Sequence, residues 1–238
     1  MQIGGFQPLT LSDYPGRVAA IVFTQGCNFR CPFCHNGALL DDDGPAETLL
    51  DEATVLETLR ARKTLLDGVV VSGGEPTLQP NLVDFIANLR QLGFLVKLDT
   101  NGARPDIVRD LLNRSLLDYV AMDIKAPQAK YAQLAGTNVS FDRIEETVQL
   151  LLASETLCEF RTTFVPGLLT KSDLEAIRAG LPHDAKYTVH QFVPDNALDA
   201  SLRQQGTASV PSIEPQASTN EANTDDHIPH HIDWLSGE

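Results

Sequence analysis

The sequence predicts an α/β fold with a largely parallel sheet, because strand-like and helix-like segments alternate about six times before residue 199. The strand-like segments are short apolar runs, whereas the helix-like segments repeat their apolar residues every three or four positions. The predicted strands cover residues 18–24, 69–72, 94–98, 119–124, 158–165 and 186–193. The predicted helices cover residues 50–66, 82–92, 105–112, 141–152 and 172–181. Residues 4–14 precede this pattern and are expected to add a small antiparallel piece.

Local signals mark where these elements begin and end. The first predicted strand is β-branched and reads as buried, and the helix after it carries apolar residues such as Leu59 at helical spacing. The second strand stops at Gly73, where a glycine pair favours a turn. Pro105 is typical of the first position of a helix, and Ser172 is expected to cap the last predicted helix.

Composition sets limits on what this protein does. The chain has 238 residues, of which 42% are hydrophobic, which is enough for one sizeable core. It has no apolar run of about 18 residues, so no membrane span is expected. A net charge of −14 argues against nucleic-acid binding, which needs a basic surface. Free, clustered thiols and a start without a signal segment predict a cytoplasmic protein.

The composition changes near residue 199, which predicts two regions. Residues 1–198 form the expected core domain, and residues 199–238 form an acidic, low-complexity segment rich in Ser, Thr, Asn, Gln and Pro. This segment has few aliphatic residues with which to offset its ordering entropy, so we expect it to be a disordered tail. The histidine-containing run 227–234 could bind a metal, although a solvated tail is the favoured interpretation.

Three cysteines lie within eight residues: Cys27, Cys31 and Cys34, with Phe33 directly before the last. Three thiolates can hold three irons of a [4Fe–4S] cube and leave the fourth iron open, whereas electron-transfer clusters normally use four cysteines. The fourth cysteine of the chain, Cys158, lies in an apolar run and reads as a small buried hydrophobe.

Other uses of the three cysteines fit less well. A zinc site would need a fourth ligand such as His35, and four ligands within nine residues would make a cramped tetrahedron. A redox pair of Cys31 and Cys34 would leave Cys27 unexplained. Disulfides are not expected in a reducing compartment. An open cluster is the favoured interpretation, and its sensitivity to oxygen predicts an anaerobic or microaerobic setting.

Polar clusters follow the predicted strands one after another. Because the carboxyl ends of parallel strands share one rim, whether in a barrel or an open sheet, these clusters are expected to meet at one site. Glu75 could accept a hydrogen bond from an ammonium group, Lys125 could pair with a carboxylate, and aspartates could bind ribose hydroxyls or a cation. The clusters contain Gly73, Gly74, Glu75, Asp99, Thr100, Asn101, Gly102, Asp123, Lys125, Val165, Pro166, Gly167 and His190.

Together with the cysteine spacing, these motifs resemble the radical S-adenosylmethionine (SAM) superfamily, over roughly residues 1–198. The runs 99–102 and 123–125 are similar to SAM-contacting motifs of the glycyl-radical-enzyme activating family, which includes pyruvate formate-lyase activating enzymes. Arg161 with the run 165–167 also fits this family. The runs 9–16 and 190–194 look most like the activating proteins of anaerobic ribonucleoside-triphosphate reductase. The resemblance implies a partial, TIM-like (β/α)6 barrel.

The resemblance also implies roles for residues. Cys27, Cys31 and Cys34 would hold the cluster, and the aspartates would help to hold a monovalent cation. The set implied for SAM binding comprises Phe33, His35, Gly73, Gly74, Glu75, Asp99, Thr100, Asn101, Asp123, Lys125 and His190. Residues 35–72 contain no cysteine, so a single cluster is predicted. No side chain is expected to serve as a catalytic acid or base.

The activity implied is an oxidoreductase. An electron from a flavodoxin or ferredoxin would cleave SAM to a 5′-deoxyadenosyl radical, which would take hydrogen from a glycine of a partner enzyme. Anaerobic ribonucleotide reductase is the expected partner, and pyruvate formate-lyase or another glycyl radical enzyme is an alternative. A radical SAM enzyme acting on a small molecule, similar to 7-carboxy-7-deazaguanine synthase, remains open, as does a non-catalytic electron carrier or metal-binding module.

Overall fold

A computed structural model describes residues 1–41, 49–204 and 209–213. Its seven strands form one sheet in sequence order, in which β1 is antiparallel to β2 and strands β2 to β7 are all parallel. The strands are β1 (Ile3–Thr10), β2 (Ala19–Thr24), β3 (Gly68–Gly73), β4 (Leu95–Thr100), β5 (Tyr119–Asp123), β6 (Leu157–Phe164) and β7 (Tyr187–Gln191). The six predicted parallel strands and the antiparallel N-terminal piece are confirmed.

Helices follow the parallel strands as crossover connections, with a short helix also preceding α5. They are α1 (Glu52–Ala61), α2 (Leu82–Gln91), α3 (Pro105–Asn113), α4 (Tyr131–Ala135), α5 (Phe141–Leu152) and α6 (Lys171–Ala179). Proline starts α3 as predicted. The predicted cap of α6 is wrong: Thr170, not Ser172, lies at the N-cap and exchanges hydrogen bonds with Asp173 in a capping box. Asp51 caps α1 by accepting a hydrogen bond from the amide of Thr54 at 2.9 Å.

The sheet is an open, partial barrel. Among the described residues β1 and β7 do not pair with each other, so the barrel is not closed. Six flat strands would span about 24 Å, yet residues at the ends of β2 through β7 line one cavity, which requires the sheet to curve. The open, partial barrel of six parallel strands that the resemblance implied is confirmed. In the part of the chain that the structure describes, an α-helix follows each of these strands except β7.

The two faces of the sheet have different side chains. The outer face packs on the helices through a continuous aliphatic and aromatic core, which includes Val22, Val71, Leu98 and Phe160. The inner face carries a smaller apolar cluster around Ile21 at the N-terminal end of the strands, and charged side chains towards their C-terminal ends. The inner face therefore places charge where the predicted site lies.

The packed fold extends beyond residue 198. The amide of Asp199 donates to the carbonyl of Pro32 at 2.8 Å, and Leu202 is buried in a short 3₁₀ turn, Leu202–Gln204. The boundary after residue 198 stays a prediction, and the residues directly after it pack on the core. The rest of the predicted acidic tail, including residues 227–234, lies outside the described residues apart from 209–213. In the described part of the chain, no helix is long and apolar enough to cross a membrane.

Candidate active site

One cavity of about 350 Å³ opens at the C-terminal ends of the parallel strands. This volume lies within the range typical of small-molecule sites. The structure brings together every side chain that the sequence suggested for the cluster and for SAM. Those residues are Cys27, Cys31, Phe33, Cys34, His35, Gly73, Gly74, Glu75, Asp99, Thr100, Asn101, Asp123, Lys125 and His190.

The cysteines lie on the loop that follows β2, which we call the cysteine loop (residues 25–36). Backbone hydrogen bonds fix its course: Cys27 donates to Leu40 at 3.1 Å, and Arg30 donates to Ala135 at 2.8 Å. The amide of Cys34 donates back to the carbonyl of Cys31 at 3.0 Å, forming a tight turn. The loop is therefore anchored to neighbouring segments on both sides of the thiols.

All three thiols are free; Cys31 is buried, whereas Cys27 and Cys34 are half-buried. Burial raises the pKa of Cys27 to about 12 and that of Cys31 to about 11. Without a metal both are therefore neutral thiols at ordinary pH. Metal binding has to displace their protons, which couples loading of the site to pH.

The donor set fits an iron–sulfur cube better than a single ion. In the residues that the structure describes, no three Cys, His, Asp or Glu side chains converge as a mononuclear metal would require. A cube spreads its ligands, because each cysteine binds a different iron. The ring of His35 packs edge-on against Phe192, with centroids 6.0 Å apart, and does not complete a zinc site. Three thiols around one cavity fit a cluster with an open iron.

The glycine pair after β3 brings backbone close to the cysteine loop. Gly73 has a φ of +119°, which favours glycine. A Cβ on Gly74 would lie 2.1 Å from the carbonyl oxygen of Gly26, so a larger residue would displace the loop. The amide of Glu75 donates to that same carbonyl at 2.8 Å. These contacts explain why two glycines are needed here.

The carboxylate of Glu75 is buried beneath the cavity, with 1% of its surface exposed. It accepts hydrogen bonds from the hydroxyl of Thr100 at 2.8 Å, the amide of Asn101 at 2.7 Å, and both the amide and the hydroxyl of Thr77. Burial raises the pKa of Glu75, and these donors oppose the shift. Much of the carboxylate's acceptor capacity is therefore already used within the protein.

A line of alternating charges crosses β4, β5 and β6, and we call it the charged wall. Lys97 lies 2.5 Å from Asp99, and Arg161 contacts Asp99 at 3.5 Å. Arg161 also contacts Asp123 at 2.9 Å, and Lys125 contacts Asp123 at 3.0 Å. Three cations thus share two carboxylates. Lys97 does not line the cavity, so Lys125 and Arg161 are the cations that face it. Lys125, at the end of the charged wall, is placed to pair with an anionic group such as a carboxylate.

The ion pairs set the protonation states of the charged wall. Burial favours a neutral Asp123, but Arg161 and Lys125 outweigh it and hold the pKa of that carboxyl well below its usual range. Burial would likewise lower the pKa of Lys125, and Asp123 reverses the shift, so the pKa of Lys125 lies above its ordinary value. Both groups are charged at neutral pH.

Some cavity residues were not in the set implied for SAM binding. Arg161 on β6, which the resemblance includes without a stated role, joins two aspartates. Ser72 and Thr163 also line the cavity. The signal that could have found them is the two-residue alternation of strands: Arg161 and Thr163 lie on one face of β6, as Ser72 faces inward on β3.

The chain is similar to known proteins over most of its length. The sequence profile of the Radical SAM superfamily matches residues 21–178, more than half of the chain. A protein of Methanocaldococcus jannaschii named as a glycyl-radical enzyme activating enzyme is 33% identical over 207 residues, which cover 85% of this chain and 84% of the relative. The pyruvate formate-lyase-activating enzyme of Clostridium pasteurianum is 33% identical over 52% of each chain.

Other matches are shorter or show the fold alone. A Saccharolobus solfataricus protein named as a GTP 3′,8-cyclase is 32% identical over 54% of this chain and 41% of the relative. The radical SAM methyltransferase TsrM of Kitasatospora setae, solved with tryptophan and a SAM analogue, has a TM-score of 0.54 and 18% identity. That likeness covers 77% of this chain and 38% of TsrM, and it supports the fold described above.

Proposed function

Because the chain belongs to the radical SAM superfamily, we propose that it is an activating enzyme that generates a glycyl radical on a partner enzyme. The observation that carries the proposal is that one cavity brings three thiols together with the paired charges of Lys125, Asp123 and Arg161. The family implies a [4Fe–4S] cluster and SAM, and relatives named as activating enzymes support a glycyl-radical partner.

Cys27, Cys31 and Cys34 would hold the cluster. When bound, the cluster would supply the electron for reductive cleavage of SAM to methionine and a 5′-deoxyadenosyl radical. Cys31 is buried, as are Phe29 and Phe33 on the same loop, which helps to exclude water from the site. No protein acid or base is needed for this chemistry.

The other side chains would orient SAM. Lys125 would pair with the SAM carboxylate, while Gly73 and Gly74 present backbone at the amino end. Phe33 would pack near the adenine, and Asp99 is placed for ribose hydroxyls. The further proposed SAM contacts are His35, Glu75, Thr100, Asn101, Asp123 and His190. A monovalent cation beside the two aspartates is also part of the proposal, and Arg161 already supplies positive charge to both.

The proposed partner is anaerobic ribonucleoside-triphosphate reductase, with a cytoplasmic flavodoxin or ferredoxin as the electron donor. The partner proposal rests on the runs 9–16 and 190–194, which resemble its activating proteins. An open-sided barrel suits a protein substrate, because a glycine loop has to reach the rim. The similarity to proteins named as GTP 3′,8-cyclases favours a small-molecule substrate as the second candidate.

The test is electron paramagnetic resonance (EPR) on the reduced, anaerobically reconstituted protein with SAM and a candidate reductase, with 5′-deoxyadenosine assayed in the same tube. A glycyl-type doublet on the reductase, absent with a variant in which all three loop cysteines are alanine, is the expected result. Deoxyadenosine without a partner radical would contradict the partner and favour a small-molecule substrate. Neither product from a protein with an intact cluster would contradict the radical SAM activity.

A further inference from the structure

Two asparagine side chains join the cysteine loop to the end of β4. The amide nitrogen Nδ2 of Asn101 donates to Oδ1 of Asn28 at 2.8 Å, across 73 positions of sequence. Asn28 directly follows Cys27, and Asn101 directly follows the buried Thr100. A side-chain bond therefore links the loop that carries the thiols to the rim that carries the predicted SAM contacts.

The orientation of Asn101 is fixed by its other bonds. Its Oδ1 accepts from the amide of Ala103 at 3.0 Å, so its Nδ2 has to point towards Asn28. The backbone amide of Asn101 donates to the buried Glu75 carboxylate at 2.7 Å, and the residue is nearly inaccessible to water. Rotation of the side chain would leave buried polar atoms without partners, which is costly.

These hydrogen bonds converge on the buried carboxylate of Glu75. Glu75 receives bonds from Thr77 and Thr100 as well as from Asn101, and it lies directly after the glycine pair. Asn101 in turn donates to Asn28, so the position of Asn28 depends on that of Glu75. The rim beyond β3, the rim beyond β4 and the cysteine loop are thus joined through one buried carboxylate and two amides.

We propose that Asn28 and Asn101 form a latch that positions the cysteine loop relative to the SAM-binding rim. The effect on SAM rests on the proposed function, whereas the effect on the loop does not. The latch acts through the loop and is a positioning device, since neither amide needs to touch a reacting atom. Its loss loosens the register between the cluster ligands and the rim while the three thiols stay available for iron.

The latch is tested first in the cluster-free protein with Asn28→Ala, Asn101→Ala and the double variant. Hydrogen exchange of the amides in residues 29–34 is followed by mass spectrometry. Loss of one net hydrogen bond predicts about fivefold faster exchange in Asn28→Ala. The double variant is expected to exchange no faster than Asn101→Ala, because Asn28 then has no donor left to lose. Asn88→Ala, on the exposed face of α2, is the matched control and should match wild type.

The second measurement uses reconstituted protein. Asn28→Ala should retain the iron content of wild type, bind SAM about fivefold more weakly and show an altered EPR spectrum of the reduced cluster with SAM. Asn28→Asp keeps the Oδ1 acceptor and should restore both the exchange rate and SAM affinity. Rescue of this kind separates the latch from a general loss of folding.

Each outcome decides the matter. Unchanged exchange in Asn28→Ala, or additive effects in the double variant, would overturn the latch. Faster exchange with unchanged SAM affinity would overturn the coupling to the rim. If wild type with an intact cluster binds no SAM, the proposed function fails, and the exchange cycle alone then decides whether the latch exists.

Discussion

The cysteine loop and the charged wall line the same cavity, but they are held by different forces. The loop is positioned by backbone hydrogen bonds and by buried aromatic side chains such as Phe29, whose ring packs edge-on against Tyr131. The wall stands on regular strands and is held by ion pairs centred on Arg161. Cys27 and Cys31 in the loop are neutral until they bind metal, because burial raises the pKa of each thiol, whereas Asp123 and Lys125 in the wall are charged at neutral pH.

The difference indicates a division of labour. The wall is preorganised, because its charges are already paired and need no rearrangement when a ligand binds. The thiols of the loop become thiolates only when they bind metal, so the charge of the loop depends on metal loading. Removing a thiol and removing a wall charge should therefore have different effects: loss of iron for the thiol, and loss of stability and SAM affinity for the wall.

The largest effect is expected from removing a loop thiol. Cys31→Ala should reduce bound iron to background after reconstitution and abolish deoxyadenosine formation, because a cube needs each of its three thiolates. Cys158→Ala is the control, since Cys158 lies on β6 among the packed core and does not line the cavity. Iron analysis of both variants tests whether Cys31 is a cluster ligand, and a normal iron content in Cys31→Ala would contradict that assignment.

The next largest effect is expected from the centre of the wall. Arg161→Met leaves Asp99 and Asp123 with one lysine each and should lower the free energy of unfolding by about 2 kcal/mol. Arg109→Met removes an exposed pair with Glu146 and should cost about 0.5 kcal/mol. Urea unfolding of cluster-free protein measures both. Equal losses would show that the wall adds nothing beyond an ordinary surface pair.

The two regions should also respond to opposite ends of the pH scale in cluster-free protein. The pKa of Asp123 is lowered on folding, so its contribution is present at neutral pH and is lost as the pH falls below about 4. The pKa values of Cys27 and Cys31 are raised to about 12 and 11, so folding is opposed as the pH rises above their ordinary value of 9.0.

Unfolding free energies measured across pH in two variants separate these contributions. Asp123→Asn should flatten the acid side of the profile, and Cys27→Ala should flatten the alkaline side. A variant that flattens the opposite side, or neither, would refute the assignment of charge states.

The smallest effect is expected outside the cavity on the loop itself. Arg30 and Asp41 form an exposed ion pair at 3.6 Å. Asp41→Asn removes this pair and keeps the hydrogen bonds that Arg30 donates to the carbonyls of Cys27 and Phe29. It should change the free energy of unfolding by less than about 0.5 kcal/mol, because solvent screens such a pair. Thermal melts of this variant and of Arg161→Met compare the two losses of stability. A loss as large as that of Arg161→Met would contradict the contrast between loop and wall.

The alternation of strands and helices could be predicted because each element is long enough to show its period. The five-residue helix α4 could not, since it covers little more than one turn. The cap of α6 was misplaced because Ser172 also has an acid, Glu175, three positions later, as Thr170 has Asp173. Two overlapping capping patterns cannot be separated without the packing.

The candidate site could be predicted where motifs follow strands, but its connections could not. Arg161 contacts Asp99 and Asp123 only because the curved sheet brings β4, β5 and β6 together. The packing of Leu202 could not be predicted either, because average composition hides a single buried side chain in a polar segment. The bond between Asn28 and Asn101 likewise depends on tertiary structure alone.

The central claim is that loop and wall act on one ligand, and one measurement tests it most directly. EPR spectra of the reduced, reconstituted protein are recorded with and without SAM for wild type and for Lys125→Met. We expect SAM to change the wild-type spectrum, and we expect Lys125→Met to hold the same iron but show little change at the same SAM concentration. An unchanged wild-type spectrum, or a Lys125→Met variant that responds as wild type does, would contradict the account.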